Sequence, residues 1–189
     1  MAEKRLDPDD WIRCGTRTLA AKGWTALRAD ALAKTLDVSR GSFYWHFADV
    51  AAFRRAVLER WRELALKNVI ADIDPLGPDR PAALVRRAFG TPPQLEVAVR
   101  AWATVDETAR AVVRSVDAER VAYTRKMLIE EGVTPEVASV RANILNWAYL
   151  GFALSPQKTH PTLDAVASEL AAFALSRERP PGAGAQANG

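Results

Sequence analysis

Residues 38–47 read VSRGSFYWHF and concentrate the side chains of this chain that are best suited to bind phosphate groups. Their polar groups are one guanidinium, two hydroxyls, a phenol, an indole N–H and an imidazole N–H, the donor types that proteins use toward DNA phosphates. The residues concerned are Ser39, Arg40, Ser42, Tyr44, Trp45 and His46. Gly41 has no side chain, so a partner's backbone can come close there. The segment therefore favours contact with a nucleic acid.

The apolar residues of this segment predict a short helix with one buried face. Ser39 has the hydroxyl of a good N-cap. Val38, Phe43 and Phe47 have the spacing of an inward face, which puts the three rings of residues 44–46 on or near the outer side. Such rings could also pack beneath a neighbouring helix, which is the ordinary position of an aromatic cluster.

The preceding residues favour the first interpretation, because they predict another helix. Residues 28–37 carry Leu32, Ala33 and Leu36 at helical spacing, and a turn of about three residues around Val38 separates the two helices. That arrangement is a helix-turn-helix, which places its second helix in the major groove of DNA.

The same residues resemble the N-terminal domain of the tetracycline-repressor (TetR) family. The resemblance is carried by Gly23-Trp24, Leu32-Ala33 and residues 38–47, and it covers roughly the first sixty residues. It implies an all-α, homodimeric transcription regulator with a three-helix DNA-binding head on a larger helical body that binds a small molecule. Residues 99–103, 116–120 and 141–142 fit one branch of the family more loosely.

Three positions depart from the family pattern. Arg28 stands where a Thr or Ser usually caps the second helix, so we expect the cap to be missing and Arg28 to reach a phosphate instead. Asp37 replaces the usual turn glycine, and Asp tolerates a left-handed backbone. Ala48 and Val50 stand where a Lys often follows, which puts one phosphate contact in doubt.

The charge of the chain lies at its N-terminal end. Of 189 residues, those at 1–55 hold ten Lys or Arg against seven Asp or Glu, which accounts for the whole net charge of +3. A basic head on a neutral body suits DNA rather than a membrane surface. The longest apolar run, residues 147–154, is too short to span a bilayer, and residues 1–10 are charged and have no apolar h-region, so we expect a cytoplasmic protein without membrane contact.

Caps and apolar spacing predict further helices. A first helix from Pro8 to Lys22 ends at Gly23. Asp49 caps a long helix to about Asp72 that turns Phe53, Val57, Trp61 and Leu64 inward. The other predicted helices are residues 82–89, one starting at the capping box of residues 91–94, one from Asp106 to Gly132, one from Thr134 to Leu154, and a last one at 163–174. The predicted domains are a DNA-binding head at residues 1–50, an effector-binding and dimerisation body at 51–178, and a disordered tail at 179–189.

The last two helices predict a homodimer. Residues 137–154 are apolar on nearly every side, and residues 163–174 carry a wide apolar stripe. A helix that is apolar all round must be covered all round. We expect the pair to form a four-helix interface with a second chain.

Enzymatic chemistry has little support. The chain has two His far apart and lacks a His-x-x-x-His motif, a phosphate-binding glycine loop and a Gly-x-Ser-x-Gly motif. The single Cys14 excludes an internal disulfide, and we assign it to packing. The alternatives are a helical enzyme and a purely structural dimer, and the second leaves residues 44–46 unexplained. We expect neither catalysis nor a cofactor or metal.

The body also offers candidate ligand contacts, namely aromatic residues, a methionine and two amides. They are Trp61, Phe89, Trp102, Tyr123, Met127, Asn143, Asn146 and Trp147. Each of them could instead be ordinary core. The sequence thus predicts a regulator that binds a palindromic operator as a homodimer and responds to a small apolar or aromatic effector. The alternative is a helix-turn-helix regulator without a ligand.

Overall fold

The computed structural model describes residues 6–155 and 162–176, and in these ranges it is made of helices without any strand. The prediction of an all-α fold is confirmed. The α-helices are α1 Pro8–Lys22, α2 Ala29–Leu36, α3 Arg40–Tyr44, α4 Val50–Arg62, α5 Asn68–Ile73, α6 Arg80–Gly90, α7 Gln94–Ala103, α8 Glu107–Glu130, α9 Pro135–Leu154 and α10 Leu163–Leu175. The predicted tail at 179–189 lies outside the described residues.

Helix α1 begins and ends where the sequence predicts. Asp7 and Asp10 cap it reciprocally, each carboxylate accepting from the other residue's backbone N–H at 2.8 and 3.0 Å. Its middle lies so close to α4 that a Cβ on Gly15 would stand 2.5 Å from Cζ of Phe53. Glycine at this position therefore permits the close packing of the two helices.

Helices α2 and α3 form the predicted helix-turn-helix. Asp37 ends α2 in the left-handed conformation, with φ 56° and ψ 49°. This is the conformation expected of a residue that replaces the usual turn glycine. Arg28 stands at the N-cap of α2 without a side-chain capping bond. The capping role expected for the Ser39 hydroxyl is wrong: Ser39 has the extended N-cap backbone, but the N–H of Ser42 donates to its carbonyl oxygen at 3.1 Å instead.

Helix α4 continues into α5 through a π-helical turn, Glu63–Lys67. The helical path therefore runs to Ile73, close to the predicted end. A π-turn adds a residue to one turn and rotates the following side chains. As a result Leu66 is buried, while Leu64, which helical spacing predicted to face inward, is exposed.

The connection between α6 and α7 differs from the prediction. Thr91 was expected to cap α7, but its hydroxyl donates to the carbonyl oxygen of Arg87 at 2.7 Å and closes α6. Helix α7 then begins only at Gln94, with Pro93 as its N-cap. The capping-box motif fails here because the threonine is already engaged by the preceding helix.

One hydrophobic core joins the first helices to the middle of the chain. Trp11 of α1, Phe43 of α3 and Trp61 of α4 belong to it, together with Trp102 of α7 and Val116 of α8. A 3-10 turn, Trp24–Ala26, adds a further contact to this core. The helix-turn-helix is thus held directly against the body.

Helices α9 and α10 are covered on one side and bare on the other. The side of α9 that faces the protein buries small residues, Ala138, Ala142 and Ala153. The apolar residues left exposed on the two helices are Val140, Ile144, Trp147, Leu154, Leu163, Phe173 and Leu175. Within the described ranges, no helix is both long and apolar enough to cross a bilayer.

Candidate DNA-binding surface and effector cavity

Phe43 anchors the short helix α3 to the rest of the head. Its ring is fully buried and lies 5.3 Å, centroid to centroid, from each of the rings of Trp11, Phe47 and Phe53. Aromatic contacts of this kind, mostly edge-on, stabilise beyond the area that they bury. Because α3 has only five residues, this cluster rather than helix length fixes its position.

The opposite side of α3 carries the predicted DNA contacts. Ser39, Arg40, Gly41 and Tyr44 are exposed, Ser42 and His46 are half-buried, and Trp45 is 87% exposed. The structure thus places seven of the eight predicted residues along one short segment. A large ring exposed to this extent contributes little to the protein's own packing, and it is available to a partner.

Arg40 and Tyr44 form a pair one helical turn apart. Nη2 of Arg40 donates to the Tyr44 hydroxyl at 3.2 Å, and its guanidinium carbon lies 5.7 Å from the centre of the Tyr44 ring. The contact orients the guanidinium while leaving most of its N–H donors free. Two of the predicted phosphate donors are therefore held side by side.

Arg28, the eighth predicted contact, is engaged elsewhere. Its guanidinium bonds to the carboxylate of Asp30, with Nη2 at 2.7 Å and Nε at 3.2 Å, and both side chains are exposed. An exposed ion pair of this kind is worth little, so a phosphate can replace the carboxylate. Arg28 remains a predicted contact, but one that must first leave its partner.

Gly41 is not required by the packing of the protein. A Cβ at this position would meet only the Ser39 hydroxyl oxygen, at an ordinary 3.7 Å. The backbone of Gly41 lies in α3, outside the left-handed region that favours glycine. The absence of a side chain at Gly41 thus allows a partner to approach the backbone closely.

A cavity of about 150 Å³ lies in the body. Its wall is built by the end of α4, the π-turn and α5, together with residues of the helices from α6 to α10, and it is largely apolar. Five of the eight predicted effector contacts line it: Trp61, Phe89, Tyr123, Met127 and Asn146.

The other three predicted contacts lie elsewhere. Trp102 is buried in the core shared with the head, where its ring stacks on Trp24. The amide of Asn143 donates to the carbonyl oxygen of Ser139 on its own helix at 2.8 Å. Trp147 is exposed on the bare side of α9. Helix α9 turns Asn146 toward the cavity, so the adjacent Trp147 points away from it.

The cavity also has charged residues in its wall that the sequence interpretation did not include. Glu96 of α7 is 5% exposed and accepts from both Nη atoms of Arg120, at 3.1 and 3.0 Å. It also accepts from Nε of Arg100 at 2.7 Å. Behind them Arg100 makes a bidentate bond to Asp117, at 3.0 and 2.6 Å. The four side chains form one charge-balanced network in which Glu96 is buried and the other three are half-buried.

The sequence does contain a signal for this network. Glu96, Val99 and Ala103 share the inward face of α7 at helical spacing, so Glu96 is a carboxylate on an apolar face. A buried carboxylate needs a cationic partner. Arg100, one turn later, was available to supply the first one.

The electrostatics of the cavity follow from burial and from these partners. Burial disfavours the charged form of Glu96, but the bonds and charges of Arg120 and Arg100 outweigh it, so the pKa lies below the ordinary 4.5. Burial, followed by the charge of Glu96, raises the pKa of Tyr149, another wall residue, to about 12. At neutral pH the cavity therefore contains an ionised carboxylate and a protonated phenol. Among the described residues, no cluster of His, Cys, Asp and Glu is suited to a metal ion.

Comparisons with known proteins agree with this arrangement. Residues 12–57 match the family of bacterial regulatory proteins named tetR. A crystal structure described as that of a TetR-family transcriptional regulator from Rhodococcus sp. is similar, with a TM-score of 0.64 and 16% identity over 89% of this chain and 96% of that one. No curated protein matches the chain.

A second similar structure is that of a transcriptional regulator of the TetR/AcrR family from Thermobifida fusca YX-ER1. Its TM-score is 0.59 at 16% identity, over 91% of this chain and 98% of that one. At this identity the two structures establish the fold. The family match covers the helix-turn-helix and its exposed residues. Residues 12–57, which contain the helix-turn-helix, therefore resemble the tetR family of bacterial regulatory proteins, and the all-helical fold is shared with the two TetR-family structures.

Proposed function

We propose that the protein is a ligand-responsive repressor that binds a palindromic operator as a homodimer. The observation that carries the proposal is the segment of exposed donors and rings at residues 39–46, fixed from behind by the buried Phe43. A repressor acts by occupying DNA, and a bacterial DNA-binding protein of this kind acts in the cytoplasm. The division into a head at residues 1–50 and a body at 51–178 is part of the proposal.

In the proposed complex α3 enters the major groove. Arg40 and Tyr44 donate to phosphates, and Trp45 and His46 lie near the groove wall. Gly41 lets the helix approach the DNA backbone. Arg28 exchanges Asp30 for a phosphate at the start of α2.

The bare side of α9 supports the dimer. Val140, Ile144, Trp147 and Leu154 follow one another at helical spacing, and all four are exposed. Soluble monomers rarely expose a contiguous apolar stripe. A two-fold partner that presents the same stripe, with α10 of each chain beside it, covers both copies.

The cavity supports response to a ligand. Its wall includes Trp61 and Leu66, on either side of the junction between α4 and the π-turn. Helix α4 also follows α3 directly, so a shift of α4 moves the head. A ligand that favours a different position of α4 changes the spacing of the two heads and weakens operator binding by its differential affinity for the two states.

Selection of bound fragments from a random DNA library tests the proposal. We expect an inverted repeat, because a two-fold dimer imposes its symmetry on the site. A selected sequence without a repeat would refute the homodimer on DNA. Failure to enrich any sequence would refute the sequence-specific regulator.

A further inference from the structure

The cavity is suited by size to a single ring. Most of its wall is apolar, including Leu84, Val85, Phe89, Met127 and Leu145. Its volume is about 150 Å³. An apolar cavity of about this volume stays dry and takes up benzene in another protein.

The charges of its wall favour a neutral ligand. The wall residues Glu96 and Arg120 are paired in a network that Arg100 and Asp117 complete, at 2.6 to 3.1 Å. The third charged residue of the wall, Arg87, pairs with Asp72 at 3.6 Å. An ionised ligand would bring an additional charge to a wall whose charges are already paired. Burying an unpaired charge is costly.

Within residues 6–155 and 162–176, one acceptor position of Glu96 is still open. A carboxylate has about four lone-pair sites for hydrogen bonds. Arg100 and Arg120 fill three of those of Glu96. The open position belongs to a buried, ionised group in the cavity wall, so a ligand hydroxyl can donate to it, and a bond to a charged acceptor is stronger than a neutral one.

We propose that the effector is a neutral, one-ring aromatic molecule with a hydroxyl group, that is a phenol, whose ring fills the apolar part of the cavity and whose hydroxyl donates to Glu96. The inference rests on the proposed function, since it names the ligand class of the same cavity. Arg120 connects the site to the DNA-binding side. While paired with Glu96, it donates from Nε to the carbonyl oxygen of Ala65 in the π-turn at 3.4 Å and lies over the ring of Trp61 at 5.9 Å.

Four compounds that share a methylated ring test the ligand class on the full chain. They are 4-methylphenol, 4-methylanisole, toluene and 4-methylbenzoate, and their Kd is measured by calorimetry. We expect 4-methylphenol to bind about tenfold or more tighter than toluene and 4-methylanisole, because a hydrogen bond to a charged group is worth roughly 1.5–3 kcal/mol. We expect no binding of the anion 4-methylbenzoate. Equal Kd values for 4-methylphenol and toluene, or tighter binding of 4-methylbenzoate, would overturn the proposal.

Two matched variants locate the binding. Ala88→Met adds a side chain to the cavity wall and should abolish the binding of 4-methylphenol, whereas Ala111→Met makes the same change on an exposed position of α8 and should leave it intact. Undiminished binding by folded Ala88→Met would overturn the site. Should Ala88→Met fail to fold, the four Kd values of the parent still decide the class.

Operator binding in the same samples separates this inference from the proposed function. Release of DNA by 4-methylphenol supports both. If 4-methylphenol binds tightest and the DNA stays bound, the ligand class stands and the ligand-responsive repressor is refuted. If 4-methylbenzoate releases the DNA instead, the repressor stands and the phenol is refuted.

Discussion

The rings of Trp24 and Trp102 lie 6.3 Å apart, centroid to centroid, and only 9° from parallel. Trp24 belongs to the turn that precedes the helix-turn-helix, and Trp102 belongs to α7, which also carries Glu96 in the cavity wall. The guanidinium of Arg54 lies over the Trp24 ring as well, 5.3 Å from its centre. The head is therefore attached to the body through α7 as well as through the chain connection into α4.

This attachment predicts that head and body unfold together. Replacing Trp102 by Ala removes a fully buried ring from the shared core and should lower the free energy of unfolding by about 3–5 kcal/mol. The matched control Trp45→Ala removes an exposed ring and should leave stability within about 0.5 kcal/mol of the parent. Chemical denaturation followed by circular dichroism measures both. Two separate transitions in the parent protein would show that the head folds independently of α7.

Arg40→Ala should weaken binding to every DNA sequence alike. Removing one phosphate contact lowers the slope of log affinity against log salt concentration by about 0.9. Arg114→Ala is the control, since Arg114 is an exposed arginine of α8 paired with Glu107. Fluorescence anisotropy at several salt concentrations gives the slopes. An unchanged slope together with a new preference at one base pair would assign Arg40 to base recognition instead.

Gly41→Ala should separate stability from DNA binding. The added methyl group meets only an ordinary contact, and Ala favours a helix by roughly 0.5–1 kcal/mol over Gly, so the variant should be at least as stable as the parent. Its operator affinity should fall, because the methyl group stands between α3 and the DNA backbone. Gly15→Ala is the opposite control: its Cβ would overlap Phe53, so stability should decrease. If a stable Gly41→Ala protein bound the operator with undiminished affinity, the DNA backbone would not approach α3 closely at this position.

Val140→Glu should convert a dimer into monomers. Val140 is 60% exposed on the bare stripe of α9, where the proposed partner would bury the new charge without a counter-charge. The control is Val105→Glu, at a position that is 65% exposed and lies outside α9 and α10. Sedimentation equilibrium gives the association state of all three proteins. A parent that is already monomeric at micromolar concentration, or two variants that dissociate equally, would count against this interface.

The network around Glu96 predicts a pH dependence of stability. Because its pKa is depressed in the folded protein, the stabilisation is fully present above its ordinary value of 4.5 and is lost as the pH falls through the folded value. At neutral pH Glu96→Gln should lower the free energy of unfolding by roughly 3–5 kcal/mol, since it leaves two half-buried guanidiniums to share the single carboxylate of Asp117. The difference in free energy of unfolding between variant and parent should become smaller below pH about 4.5. The control is Glu107→Gln at an exposed position, which should show no comparable loss of stability at neutral pH. If the difference in free energy of unfolding between Glu96→Gln and the parent stayed constant across the acid range, Glu96 would not be the source of the pH dependence.

The features that could be predicted from the sequence depend on neighbours within about one helical turn. Asp49 and Asp106 cap α4 and α8 through bonds to the backbone three residues later. Asp37 adopts the left-handed conformation, which was expected because it replaces the usual turn glycine after α2. By contrast, the exposure of Leu64 depends on a π-turn, and the role of Thr91 depends on the end of the previous helix, neither of which local spacing reveals.

The candidate sites divide in the same way. Residues 39–46 are contiguous, so one motif brings them together. The cavity takes its wall from helices far apart in the chain. Trp61 and Trp102 both belong to the core, and aromatic character alone could not show that only Trp61 also lines the cavity. The pairing of Glu96 with Arg120, 24 residues away, depends on how α7 packs against α8. Sequence spacing does not determine that packing.

Hydroxyl-radical footprinting of the parent protein on its selected DNA tests the central claim most directly, namely that two copies of α3 bind one palindromic site. The account predicts two symmetric protected half-sites whose centres lie about one helical turn apart, roughly 34–36 Å. The protection should disappear with Arg40→Ala at a salt concentration where the parent still binds. A single protected patch, or two patches without symmetry, would contradict it.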